Sequence, residues 1–124
     1  MAKKICVDTD VCISILNGEE RANQFRDPLA LAELFVSSIT AFELNMRTNK
    51  LDDVAGFLNK LNIVDFDGKC VMEASLTYKK LKAKGLMIDF RDLFIASSAI
   101  ANSLHLATFN KKHFSNIENL KLID

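Results

Sequence analysis

No stretch of this chain approaches the roughly twenty consecutive apolar residues that a membrane-crossing helix requires. Met1-Ala2-Lys3-Lys4 leads into only a few apolar residues before Asp8, too few for a secretory signal. Both absences point to the cytoplasm, with no membrane partner. Cysteine is scarce: Cys6, Cys12 and Cys70 are odd in number and form no CxxC pair. That excludes a disulfide framework and suits reduced thiols acting as small core hydrophobes. The chain also lacks net charge, with 16 basic against 16 acidic residues. No overall positive field draws it onto a polyanion, so any nucleic-acid contact has to be local. The densest local candidate is Lys79-Lys80-Leu81-Lys82-Ala83-Lys84, with Arg91, Lys111 and Lys112 further along, and such a run also reads as the solvated face of a helix.

Several chemistries lack their residues. The two histidines, His105 and His113, are paired neither with each other nor with cysteines at ligand spacing, which argues against zinc. The four glycines are scattered, so no phosphate-cradling loop exists, and there is no G-x-S-x-G nucleophile elbow.

What the chain does have is apolar sequence, 49% of 124 residues, enough for one full core and one domain over residues 1–124. Lys4 to Val7 reads as a buried strand and Val11 to Leu16 as a short helix stopped by Asn17-Gly18. The segment Leu29 to Leu34, just after the only proline, Pro28, reads as helical, and Leu34 to Ser37 as a second strand. Thr40-Ala41-Phe42-Glu43 fits a capping box that opens a helix running to about Thr48. Apolar residues at 51, 54, 57, 58 and 61 give a further helix. Ile63 to Phe66 reads as a third strand, Lys69 to Lys84 as a helix ended by Gly85, and Asp89 to Ser103 as the most apolar and hence central helix. His105 to Thr108 gives a fourth strand, Asn110 to Phe114 a helical turn, and Leu120 to Ile123 an edge strand. Short apolar strands alternating with helices imply an α/β fold with a parallel sheet covered on both faces.

Three acids fall where such strands and helices meet: Asp8, Glu43 and Asp92. Each has a simpler reading alone. Asp8 and Thr9 suit an N-cap, Glu43 the partner of Thr40 in a capping box, and Asp89 with Asp92 the cap and first-turn acid of the central helix. All these readings nonetheless place the acids at the carboxyl edge of the sheet, where open α/β sheets hold their ligands. Carboxylates meeting there repel unless a cation neutralises them, and all-oxygen donors suit Mg²⁺ or Mn²⁺. Such an ion suits phosphodiester cleavage by water.

Four segments carry a resemblance: Val7-Asp8-Thr9-Asp10-Val11-Cys12-Ile13, Ser37 through Leu44, Asp92 through Ala99, and Leu106 through Phe114. In order and spacing they resemble the PIN-domain proteins of the VapC toxin type, over nearly the whole chain. The resemblance implies a three-layer α/β/α domain with a central parallel sheet of four to five short strands. It also implies Mg²⁺-dependent endoribonuclease activity, a homodimer, and inhibition by a small cognate antitoxin that enters the active-site groove. By the same resemblance Asp8 and Asp92 are the principal metal ligands, Glu43 is the third acid, and Thr9 and Thr108 line the pocket. Where many relatives carry a fourth acid this chain has Asn110 and His113, which favours one ion, with Asn110 orienting a water or a phosphate. His113 reads as structural, and Asp10 and Asp89 as reserve ligands. Two rivals stay open: a haloacid-dehalogenase-type phosphatase with Asp8 as covalent nucleophile, and a PIN-like module that processes RNA, or binds RNA or protein without cutting.

Overall fold

The computed structural model describes residues 2–124. Strand β1 (Lys4–Val7) lies inside a four-stranded, all-parallel sheet of order β3-β2-β1-β4, with β2 at Glu33–Ser37, β3 at Asn62–Val64 and β4 at His105–Ala107. Ile5, Cys6 and Val7 are essentially inaccessible to solvent. Each such aliphatic burial contributes about 1.5–3 kcal/mol, which is why this short run commits to the centre of the sheet.

The two-residue period of a strand divides the core into two. Ile5, Val7 and Val36 face one side, where they meet Val11 and Cys12 of α1 (Thr9–Leu16), Leu44 of α3 (Ser38–Asn45) and Val54 of α4 (Leu51–Leu58). Phe25, at the end of a 3-10 helix (Glu20–Phe25), and Leu29 of α2 (Arg26–Ala30) complete that side. Cys6 and Leu106 face the other, against Leu81 of α5 (Gly68–Ala83), Ile95, Ala96 and Ala99 of α6 (Phe90–Ala101), and Phe114 of α7 (Lys111–Phe114). Helix, sheet and helix make the three layers expected. Among the described residues no helix is long and apolar enough to cross a membrane.

Several boundaries differ from the sequence expectation. The helix expected over Leu29 to Leu34 lies earlier, because Glu33 N–H donates to the Lys3 carbonyl at 2.9 Å and Leu34 pairs with Ile5, so ladder bonds claim the segment. Pro28 sits in the first turn of α2, where an amide hydrogen has no helical partner to lose. Helix α3 opens at Ser38 rather than Thr40, and its cap is Ser37, whose hydroxyl accepts from the Thr40 amide at 3.0 Å. Strand β3 stops at Val64, and Phe66 instead packs on Phe94 with ring centres 4.8 Å apart. The expected edge strand at Leu120 to Ile123 is reduced to a single parallel bridge between Leu106 and Leu122. The two predicted glycine stops hold, with Gly18 at φ +65° and Gly85 at φ +72°, a region glycine enters without strain.

With β2 and β3 on one side of β1 and β4 on the other, the chain reverses direction of travel through the sheet at β1. The crevice beyond the carboxyl ends of β1 and β4 is therefore a switch point of the kind where α/β sheets bind ligands.

Candidate active site

Asp8 follows β1 and caps α1, and only 4% of its surface meets solvent. Its Oδ1 accepts from the Thr9 amide at 2.9 Å, and its Oδ2 accepts from the Thr108 hydroxyl, just past β4, at 2.7 Å. Burial pushes the carboxyl up from its ordinary 3.8 to about 6; the bonds from Thr108 and Thr9 pull it back, while the charges of Asp92 and Asp10 add to the rise. Both donors to Asp8 are neutral, and among the described residues it enters no ion pair.

Glu43 is reached through a chain of buried hydroxyls. The Thr9 hydroxyl donates to Glu43 Oε1 at 2.7 Å and lies 2.9 Å from that of Thr40. Because Thr9 spends its hydrogen on a carboxylate, Thr40 has to donate to Thr9, and Ser37 in turn donates to Thr40 at 3.2 Å. The run Ser37, Thr40, Thr9, Glu43 is thus polarised in one direction, with its three hydroxyl-bearing residues buried. Glu43 sits inside α3, which removes its reading as a capping partner.

Asp92 lies in the first turn of α6 and is 8% exposed. Burial raises its carboxyl above the ordinary value; Arg91 and His113 oppose that rise, while Asp89 and Asp10 add to it. Arg91 ties it to Glu43: its Nη1 stands 3.1 Å from Glu43 Oε2, and its Nε stands 3.8 Å from Asp92 Oδ1. Asn110 joins the network through its amide, which donates to the Thr108 hydroxyl at 3.0 Å, and through a long 3.5 Å contact to Asp10. Asp8, Thr9, Glu43, Asp92, Thr108 and Asn110, drawn from positions more than a hundred residues apart, are therefore linked through contacts in one network.

The reserve acids divide. Asp89 caps α6, accepting from the Arg91 amide at 2.9 Å, and its charge acts on Asp92; the charge of Asp10 acts on both Asp8 and Asp92. His113, expected to serve the fold, is exposed and stands 3.8 Å from Asp92 Oδ2. Ser37 and Thr40 escaped sequence reasoning as members of the site, and Arg91, named only as a candidate nucleic-acid contact, escaped it as a partner of the acids. The nearest available signals were the adjacency of Arg91 to Asp92 and the Ser37-x-x-Thr40 cap pattern.

Beside Asp92 opens a cavity of about 390 Å³ whose wall includes Arg91, Lys112, His113, Asn110 and Asn116. Arg91, Lys112 and the two amides are groups that bind a phosphate backbone, and they share this space with the carboxylates of Asp89 and Asp92. In the lysine-rich run on and just after α5, Lys80 and Lys84 pair with Glu118, each at 3.4 Å.

The donors that converge here are carboxylate, hydroxyl and amide oxygens, a set matched to a hard divalent cation. Among the described residues no three acid, histidine or cysteine side chains are grouped tightly enough to enclose an ion as they stand. The fit lies instead in the electrostatics: Asp8 is desolvated and lacks a countercharge, and it feels the charge of Asp92, whose carboxyl burial also raises. The three thiols are free and buried, and burial pushes Cys6 up to about 12, which keeps it protonated and out of any nucleophilic role.

The model of the PIN domain matches residues 5–120. The chain is 34% identical to ribonuclease VapC2 of Rickettsia felis, across 94% of this chain and 93% of that protein. It is also 34% identical to ribonuclease VapC1 of Methanocaldococcus jannaschii, across 98% and 88%. The crystal structure of VapBC2 from Rickettsia felis, bound to a DNA fragment from their promoter, superposes with a TM-score of 0.83 at 30% identity over 97% of each chain. With an all-parallel sheet covered by helices on both faces and a family match running nearly end to end, the chain belongs to the PIN-domain family, among its VapC members.

Proposed function

We propose that this protein is a divalent-metal-dependent endoribonuclease, the toxin of a toxin–antitoxin pair, which hydrolyses RNA phosphodiester bonds. The observation that carries it is the desolvated Asp8 carboxylate, bonded only to neutral donors and raised further by the charge of Asp92. Asp8 and Asp92 would hold Mg²⁺ or Mn²⁺, with Glu43 as the third acid acting through a water. When bound, the ion would polarise both a water and the scissile phosphate.

The chain's own residues have separate tasks. Thr108 and the Thr9 amide orient the two oxygens of Asp8. The hydroxyl run from Ser37 through Thr40 to Thr9 fixes Glu43, the third acid, whose task in this reading is to orient the attacking water. Asn110 orients water or phosphate at the mouth of the cavity, while Arg91 and Lys112 supply the local positive charge. Its working place is the cytoplasm, where its RNA substrate lies.

Partners are a small antitoxin protein and a second copy of the chain. The likeness to VapBC2 supports the first. Exposed apolar side chains support protein contacts in general: Phe42 and Met46 in and just after α3, Leu51 at the start of α4, Met87 ahead of α6 and Phe90 at its start.

The test measures cleavage of RNA with Mg²⁺, with chelator, and with Asp8→Asn or Asp92→Asn. Cleavage that survives both substitutions undiminished refutes the assignment.

A further inference from the structure

Arg91 stands where the acids need positive charge, and its geometry is that of an occupant able to leave. Its Nη1 to Glu43 Oε2 distance of 3.1 Å is a hydrogen bond, but its Nε to Asp92 Oδ1 distance of 3.8 Å is only an ionic contact. About half of the Arg91 side chain is exposed, against 13% of Glu43 and 11% of Asp92. The guanidinium therefore lies across the mouth of the acid group, with solvent behind it and a long stem free to rotate. The same residue forms part of the wall of the 390 Å³ cavity, beside Lys112, His113, Asn110 and Asn116.

From this placement, and on the metal-nuclease reading above, we propose that Arg91 is a two-position residue. Paired with Glu43 and Asp92 it competes with the divalent cation. Turned into the cavity it clamps a phosphate of the RNA backbone. One guanidinium brings a single positive charge to two carboxylates, whereas a cation coordinated by Asp8 and Asp92 brings two charges and also satisfies Asp8, which Arg91 does not touch. The ion therefore displaces Arg91, and the released side chain swings toward the cavity, where a phosphodiester presents the two-oxygen edge that the planar fork of arginine matches. The backbone pivot stays fixed because the Arg91 amide is held by Asp89 at 2.9 Å. By linkage, RNA that draws Arg91 outward favours the ion, and the ion favours RNA.

Arg91→Gln and Arg91→Lys separate the two positions. Mn²⁺ binding to RNA-free protein, read by electron paramagnetic resonance, should tighten about three- to tenfold in Arg91→Gln, the span expected for removal of a half-exposed ion-pair competitor. At saturating Mn²⁺ the same variant should show a KM for RNA raised about tenfold, from loss of a charge-assisted phosphate contact. Arg91→Lys, which keeps the charge but not the fork, should fall between Arg91→Gln and wild type in both. Unchanged or weaker Mn²⁺ binding in Arg91→Gln overturns the competition, and an unchanged KM overturns the clamp. Wild-type protein that binds no Mn²⁺ at millimolar concentration removes the metal reading instead, a result distinct from either.

Discussion

The Thr108 hydroxyl donates to Asp8 Oδ2 at 2.7 Å across 100 positions of sequence, and it is the contact that joins the two strands on either side of the switch point into one site. It steadies the charged form of a carboxylate that burial otherwise disfavours. Thr108→Val should therefore move the Asp8 titration above its present value of about 6 and lower cleavage at pH 7 by about tenfold, the size of one charge-assisted hydrogen bond. Thr108→Ser should restore both. Carboxyl NMR titration alongside an RNA assay checks the pair, and a titration unmoved in Thr108→Val would show that the hydroxyl does not tune Asp8.

Asp8→Asn should separate stability from activity. Asp8 titrates near 6 when folded and near its ordinary 3.8 when unfolded, so the folded state binds the extra proton. The cost of keeping it ionised is fully present above pH 6, shrinks as pH falls, and is absent below about pH 4. Converted through the titration difference it amounts to ~2–3 kcal/mol. Asp8→Asn removes that cost: its melting temperature should exceed wild type by several degrees at pH 7.5 and converge with it near pH 4, while cleavage is lost. Calorimetry at both pH values checks this, and a variant less stable than wild type at pH 7.5 contradicts it.

Added Mg²⁺ should stabilise wild-type protein by binding only the folded state, about 1–2 kcal/mol at tenfold over its dissociation constant. The gain should be larger at pH 7.5 than at pH 5, where Asp8 is mostly protonated, and should vanish in Asp8→Asn. Chelation should reverse it and stop RNA cleavage together. Thermal shift measurements that show equal gains in wild type and Asp8→Asn would place the ion elsewhere.

Thr40→Val breaks the hydroxyl run at its middle. Ser37 and Thr9 each lose a buried partner, which should cost about 1–3 kcal/mol in denaturant unfolding. Cleavage should fall more than Mn²⁺ binding does, because Thr9 then holds Glu43 less firmly. If kcat is untouched while stability drops, the run serves the fold alone.

Much of the architecture was legible because it rests on local apolar runs. Ile5-Cys6-Val7 announced a doubly buried strand, and the acids at its end and at the start of the apolar helix were visible by position. The start of α3 was not, since Ser37-x-x-Thr40 and Thr40-x-x-Glu43 both obey capping rules. The choice falls to Ser37 because β2 must end level with β1, whose pairing carries Val36 into the core and delivers Ser37 at the turn. Arg91 was legible only as a basic residue for nucleic-acid contact; its pairing with the acids was not, because its partner Glu43 lies 48 positions away, beyond any helical or strand period. The edge strand near Leu122 was overread, because four apolar or lysine residues in a row fit a strand equally whether they make a ladder or one bridge.

The central place of β1 has a consequence for synthesis. On the ribosome this strand emerges first, yet one of its two neighbours, β4, is translated about a hundred residues later, roughly 5–20 s at ordinary elongation rates. Until then Asp8 has no Thr108 beside it and the pocket does not exist. On the nuclease reading proposed above, a growing polypeptide of this kind gains the ability to cut RNA only after β4 has docked.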